Sequence, residues 1–277
     1  MFKSKRYDDE TLKHLQKVQK MILKDFIGIC NDNDITYFIY GGSLLGTVRH
    51  KGFIPWDDDI DVIMFRKDFD KLNDILEKNP DEKYDFFNVL NEESYYYTFA
   101  RLALKGTLFK EWWADQVDYI PNIFIDIFIL DNIPDNKIKR KLHMNTSFLL
   151  NQLTMYAYIK FDNESGFKKI IQQSIHYLLK IIPISPYTIK KKCVNTFSKY
   201  KNEKCEYVCD FPAICQMPIY DKKDFLPLKK AKFEDLEVSI PNNPDKILTR
   251  IYGNYMELPP EDKRFRVAPE KIDFGKY

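Results

Sequence analysis

"GGSLLGTVRHKGFIPWDDDIDVIM", residues 41–64, sets a glycine pair and a serine ahead of Arg49, His50 and Lys51, then places Asp57, Asp58, Asp59 and Asp61 within five positions. Two carboxylates about 4 Å apart repel by about 4 kcal/mol at an effective dielectric near 20. Four crowded into one corner therefore need solvent, protons or a cation. "DIDVIMF" (59–65) alternates acid and apolar, the period of a strand. A strand puts Asp59 and Asp61 on one side, about 6.5–7 Å apart, and Ile60, Val62 and Met64 on the other. An acidic pair on a rigid element suits a divalent cation beside a phosphate-bearing substrate.

Asp126 has the same look. It stands between Ile125 and Ile127 in the apolar run "IPNIFIDIFILD" (120–131). Alone and buried it would be costly. Beside Asp59 and Asp61 it would share an ion or take a proton, giving three carboxylates on neighbouring strands. The residues before them suit an anion. Gly41 and Gly42 allow close backbone approach. Ser43 is a good N-cap type for a helix whose N-terminus favours phosphates. Arg49 and Lys51 would neutralise a diphosphate. Each piece alone has a plainer reading: a solvated acidic loop, a Gly-Gly turn, surface bases. Their order in one stretch favours a site. Two other motifs fail. Thr47 follows Gly46 where a P-loop needs Lys, and an EF-hand begun at Asp57 would have Val62 in place of Gly and Asp68 in place of Glu.

Working outward, apolar residues at three- and four-residue steps predict a helix over 9–31. "ITYFIYGG" (35–42) reads as a strand, 43–50 as a short helix and 67–78 as an amphipathic helix. Further strands are expected at 84–90, 95–104 and 123–129, and a last helix at 244–253. This order implies an α/β (α+β) fold, a mixed sheet flanked by helices. The expected organisation is a core at 1–135 with an N-terminal helix, a mainly helical basic segment at 136–215, and a block at 216–277 that packs back on the core.

The 277 residues carry a net charge of +2, which gives no sign of a general nucleic-acid binder. The first residues turn polar at once, and no stretch approaches the ~20 apolar residues of a spanning helix. A cytoplasmic protein is expected. Its five Cys then read as free thiols. Cys205, Cys209 and Cys215 are spaced C-x3-C-x5-C and lack the tight knuckle of a zinc site. "GFKKIIQQSIHYLLKIIPISPYTIKKK" (166–192) mixes Ile and Leu with Lys and has two readings. One is a helix buried on the core; the other is an interfacial helix at the inner face of a membrane.

The opening stretch closely resembles the signature of the LicD family, bacterial phosphocholine transferases related to the fukutin proteins. "FIDIFILD" (124–131) is similar to the family's second acidic motif, and "KGTLF" (105–109) to the segment between the two. "FEDLEVSIPNNPDKILTRIYGNYMELPP" (233–260) resembles its C-terminal block. The likeness runs from residue 10 to about 265 and is weakest at 135–215.

It implies a nucleotidyltransferase-type fold, and transfer of a phospho-alcohol from a CDP-activated donor, CDP-choline first, to a glycan or lipid-linked saccharide hydroxyl. CMP is released and Mg²⁺ or Mn²⁺ is required. The catalytic and metal residues would be Asp59, Asp61 and Asp126, with Asp57 or Asp58 also touching the metal. Gly41, Gly42, Ser43, Arg49, Lys51, Arg101 and Lys105 would hold the nucleotide and its phosphates. Nucleotidyl transfer and a non-catalytic binding module are the other readings. A choline headgroup favours an aromatic cage, for which Trp56, Trp112, Trp113 and Tyr95 to Tyr97 are candidates. Arg264 and Arg266 could reach an anionic substrate, but the general exposure of arginine favours surface roles.

Overall fold

Leu15, Val18, Ile22 and Phe26 repeat at helical spacing and form the buried face of helix α1 (Asp9–Asp32). Its N-terminus is capped by Asp8, whose carboxylate accepts from the Thr11 amide at 2.8 Å. The coordinates are a computed structural model that describes residues 6–88, 90–111, 114–117, 122–160, 166–212 and 217–277.

Strand β1 is only Phe38–Ile39, shorter than the alternation at 35–42 predicts. The chain turns out of it at Gly41, whose φ of +53° suits glycine, and enters α2 (Gly41–Arg49). This helix starts two residues before Ser43, and Tyr40 is its N-cap. Ser43 is therefore not the cap the sequence suggests. Its hydroxyl instead accepts from the Asp61 amide at 3.0 Å, tying α2 to β2 (Asp61–Phe65). Helix α3 (Arg66–Lys78) follows, then β3 (Tyr84–Phe87), β4 (Ala100–Leu104), β5 (Leu108–Lys110) and the long β6 (Ile123–Ile133).

β6 organises the sheet. Its Cα register sets Asp126 opposite Asp61 in a parallel ladder with β2, and opposite Arg101 in an antiparallel ladder with β4. The order is β1-β2-β6-β4-β3. The far end of the β2–β6 pair is locked by Arg66, whose Nε and Nη2 donate to Asp131 at 2.8 and 2.7 Å. Both side chains are buried, so the bidentate geometry matters.

Helices α4 (Lys137–Tyr158), α5 (Gly166–Ile181) and α6 (Pro186–Phe197) come next. β7 (Tyr207–Asp210) then joins the end of β6, and β8 (Ile219–Asp221) joins β7. Ile133, Cys193, Phe197, Cys209 and Phe211 form a small core beneath these helices. Cys30, Cys193, Cys205 and Cys209 are buried free thiols, and Cys215 lies outside the described residues.

The C-terminal residues return to the main core. The hairpin β9 (Lys229–Phe233) and β10 (Leu236–Ile240) and helix α7 (Pro244–Tyr252) place Phe233, Val238, Ile247 and Leu248 in the same cluster as α1 and the sheet. β11 (Lys271–Asp273) pairs with β5. The segment between α7 and β11 is thereby drawn across the mouth of the sheet, and that return decides the make-up of the site.

Candidate active site

The acids gather where β2 and β6 begin their shared ladder. Asp57, Asp58 and Asp59 lie in the loop entering β2, with one carboxylate oxygen from each inside a 4.8 Å circle. Asp61 opens β2 and faces Asp126 across the ladder. Helix α1 holds the loop: Gln16 and Gln19 donate to the Asp57 and Asp58 carbonyls, each at 2.8 Å. The Tyr7 hydroxyl donates to Asp58 Oδ2 at 2.9 Å.

The two glycines make room for these acids. A Cβ on Gly41 would overlap Asp61 Oδ2, and one on Gly42 would lie 2.6 Å from Asp57 Oδ2. From the sequence, the glycines suggested backbone approach to a ligand's phosphates. In the structure it is the chain's own carboxylates that approach the positive end of α2.

Burial and mutual repulsion shape the charges. Burial, with Asp59 next, pushes Asp57 up to about 7 and Asp58 up to about 6. Asp61 is driven well above the carboxylate range by burial and then by Asp59, Asp126 and Asp57. Burial raises Asp126 to about 7 against the opposing pull of Arg101. Asp59 Oδ1 is buried with no hydrogen-bond partner among the described residues. An orphaned acceptor amid crowded oxygens fits a divalent cation, a hard ion that takes oxygen ligands.

Two arginines oppose the acids. Arg101 Nε donates to Asp126 Oδ1 at 2.7 Å, and its guanidinium lies 3.5 Å from the Phe124 ring centroid and 4.3 Å from that of Tyr97. These rings already hold a cation of the protein itself. Arg266 donates to Asp57 Oδ1 from Nε at 3.0 Å and from Nη2 at 2.7 Å, and lies 3.7 Å from Asp58. Burial works against the charge on Arg266, yet Asp57 and Asp59 hold it more firmly protonated than usual. Arg266 is half exposed, as expected of a surface position, yet its guanidinium engages the acids. The contact spans 209 positions, and no local pattern announces it.

Two grooves flank this cluster and share Phe265 and Arg266 as a common wall. The first, about 570 Å³, is lined by Gly42, Arg49, Trp56, Asp57 and Tyr255. Arg49 reaches its rim, where Nη1 donates to the Tyr255 carbonyl at 2.5 Å. The second, about 550 Å³, is lined by Asp58, Asp59, Tyr97, Arg101, Glu111 and Asp126.

Two predicted bases do not reach the cluster. Lys51 turns back to the Val48 carbonyl at 3.2 Å, because its positive φ ends α2 in a tight turn. Lys105 lies beyond the opposite end of β4, donating to the Asp81 carbonyl at 2.7 Å. Trp112 and Trp113 lie outside the described residues. Tyr7, Gln16, Gln19 and Glu111 join the site without having been singled out for it.

Residues 34–161, which span this arrangement from β1 to α4, match the LicD/FKTN/FKRP nucleotidyltransferase domain. The chain carries a LicD-type nucleotidyltransferase domain. Similarity extends beyond it. The chain is 27% identical over 264 residues to the lipopolysaccharide cholinephosphotransferase LicD of Haemophilus influenzae, covering 91% of this chain and 94% of that protein. A 42-residue stretch is 40% identical to human ribitol 5-phosphate transferase FKRP, 15% of this chain and 8% of that protein. A 55-residue stretch is 44% identical to an uncharacterised protein of Rickettsia prowazekii, 20% of this chain and 21% of that protein.

Proposed function

We propose that this LicD-type protein transfers a phospho-alcohol, phosphocholine first among the candidates, from a CDP-activated donor to a glycan hydroxyl, releasing CMP. The observation that carries the reading is the meeting of Asp57, Asp58 and Asp59 with Arg266 on the wall between two grooves. A diphosphate needs positive charge on its oxygens, and a crowded acid cluster needs a cation; one site answers both. The similarity to a cholinephosphotransferase and a ribitol 5-phosphate transferase supports a phospho-alcohol as the moving group.

Asp57, Asp58 and Asp59 would hold Mg²⁺ or Mn²⁺, with Asp61 and Asp126 adding to the negative field behind them. When bound, such an ion offsets charge on the donor's phosphates. The donor occupies the first groove, where Arg49 and Arg266 face its diphosphate and Trp56 offers a stacking surface. The acceptor enters the second groove. Asp126, held in place by Arg101, takes the proton of the attacking hydroxyl. The hydroxyl oxygen bonds to the phosphorus bearing the alcohol, and the bond from that phosphorus to the CMP oxygen breaks. Positioning and charge stabilisation supply most of the rate, as is general for phosphoryl transfer.

The experiment is a donor screen. Purified full-length chain, with Mg²⁺ or Mn²⁺ and a glycan acceptor, is offered CDP-choline, CDP-ethanolamine, CDP-ribitol and CDP-glycerol. Thermal shift and CMP release are read, and the product is characterised by ³¹P NMR. One donor should raise the melting temperature and release CMP. Silence with all four, or a product carrying the nucleoside, overturns the proposal; the second outcome selects nucleotidyl transfer.

A further inference from the structure

Helix α5 leaves most of its apolar stripe uncovered. A helix packed on a protein normally turns its apolar stripe inward and its polar face to water. In α5 the most deeply buried side chains are Gln172 and His176, with Ile175 and Leu179 half-buried beside them. Gln172 Nε2 donates to the Tyr156 hydroxyl at 3.5 Å, and His176 Nδ1 donates to the Tyr156 carbonyl at 2.7 Å, both on α4. The outward side chains are Phe167, Ile170, Leu178 and Ile181, exposed by 75, 61, 57 and 80%. Their three-, eight- and three-residue spacing keeps them on one face of the helix. Neighbouring α4 continues the pattern, with Ile138, Leu142 and Leu149 exposed at four- and seven-residue steps.

The sequence over α5 and α6 carries charge of one sign. No Asp or Glu occurs from residue 165 to residue 202, whereas Lys169 and Lys180 lie on α5 and Lys191 and Lys192 on α6. A second copy docking through the same patch would bring these lysines against their own counterparts. No helix among the described residues is long and apolar enough to cross a membrane. An uncovered apolar face opposite a lysine-bearing polar one, on a helix too short to span, has the composition of a helix lying in a bilayer interface.

We propose that α5 docks flat on an anionic lipid bilayer, with Phe167, Ile170, Leu178 and Ile181 in the headgroup–acyl boundary and the exposed Lys180 reaching towards the lipid phosphates. The docking requires neither the metal nor the donor, so it stands or falls apart from the catalytic reading.

Vesicle flotation of the full-length chain tests it, using phosphatidylcholine alone or mixed with phosphatidylglycerol. The chain should float with the mixed vesicles at least about five-fold more than with the neutral ones, the scale of gain one lysine near an anionic surface provides. Lys180→Glu should abolish that preference. Ile170→Glu with Leu178→Glu should abolish flotation while leaving the circular dichroism spectrum and thermal melt intact, because both positions are exposed. The proposal is overturned if the wild-type chain stays at the bottom of the gradient with the mixed vesicles, or if Ile170→Glu with Leu178→Glu floats equally well. A dimer in light scattering that this double variant dissolves would give the face to a second copy and overturn the proposal too.

Discussion

Arg266 Nη2 stands 2.7 Å from Asp57 Oδ1, joining two residues 209 positions apart. Asp57 is 2% exposed, so this guanidinium is the counter-charge of a nearly buried carboxylate and also the wall between the two grooves. Arg266→Lys keeps the charge but loses the two-nitrogen fork, and kcat/KM should fall about ten-fold. Arg266→Ala should lower it about a hundred-fold or more. It should also cost about 1–2 kcal/mol of stability, less than a fully buried pair because the arginine side chain is half exposed. Steady-state kinetics and urea melts check both. Wild-type kinetics in Arg266→Ala would remove the residue from the mechanism.

Asp61 is packed beside Asp126, Asp59 and Asp57 with no salt bridge of its own among the described residues. Like charges in a desolvated corner oppose folding until a cation offsets them. Asp61→Asn should therefore abolish turnover yet raise the melting temperature measured in EDTA, by the equivalent of about 1–2 kcal/mol. Added Mg²⁺ should raise the melting temperature of the wild type more than that of the variant. A variant less stable than the wild type in EDTA would mean that Asp61 serves the fold through contacts its charge does not explain.

Gly42 and Gly28 form a matched pair. A Cβ on Gly42 meets Asp57 Oδ2 at 2.6 Å, and that carboxylate is already fixed by Arg266. Gly42→Ala should displace it and reduce kcat at least about ten-fold with the fold retained. A Cβ on Gly28 meets nothing within 4 Å, inside α1. Gly28→Ala should stabilise by about 0.5–1 kcal/mol through helix propensity and leave kcat unchanged. Equal activity of the two variants with the wild type would separate Asp57 from the reaction.

The parts of the site that the sequence made legible are those its local periods encode. Alternation over 59–65 and the lone acid in 120–131 placed Asp61 and Asp126 on strands, and the ladder puts them face to face, but Asp59, expected on the same strand as Asp61, lies in the loop before β2. The 3.6-residue repeat located α1, α3 and α7 to within a residue or two. What could not be read was direction and return. Whether Lys51 points at the acids depends on a positive φ at a helix end, and whether Lys105 does depends on how far along β4 the cluster lies. Arg266 comes to Asp57 because α7 and the β5–β11 pair steer the chain back across the sheet. The same limit applied to 166–192, where the apolar repeat was plain but the side facing the protein was set by Gln172 and His176.

Lys190 offers a test of packing well away from the acids. Its ammonium is fully buried and donates to the Glu92 and Tyr95 carbonyls at 2.8 and 2.6 Å, beneath the rings of Tyr158 and Tyr187. Burial lowers it to about 8 from 10.5, although Glu92 and Glu93 pull the other way. Below pH 8 both folded and unfolded chains hold the proton and the penalty of burying the charge is constant. Between pH 8 and 10.5 the folded chain has released it while the unfolded chain retains it, so this group's contribution to stability rises with pH. Lys190→Met has no proton to release. The stability of the wild type minus that of the variant should therefore climb by up to about 3 kcal/mol across that window. Tyr158, itself raised by burial, titrates in both proteins and largely cancels in the difference. Urea melts at half-unit steps of pH read the slope, and a flat difference would show that the ammonium keeps its water in the folded chain.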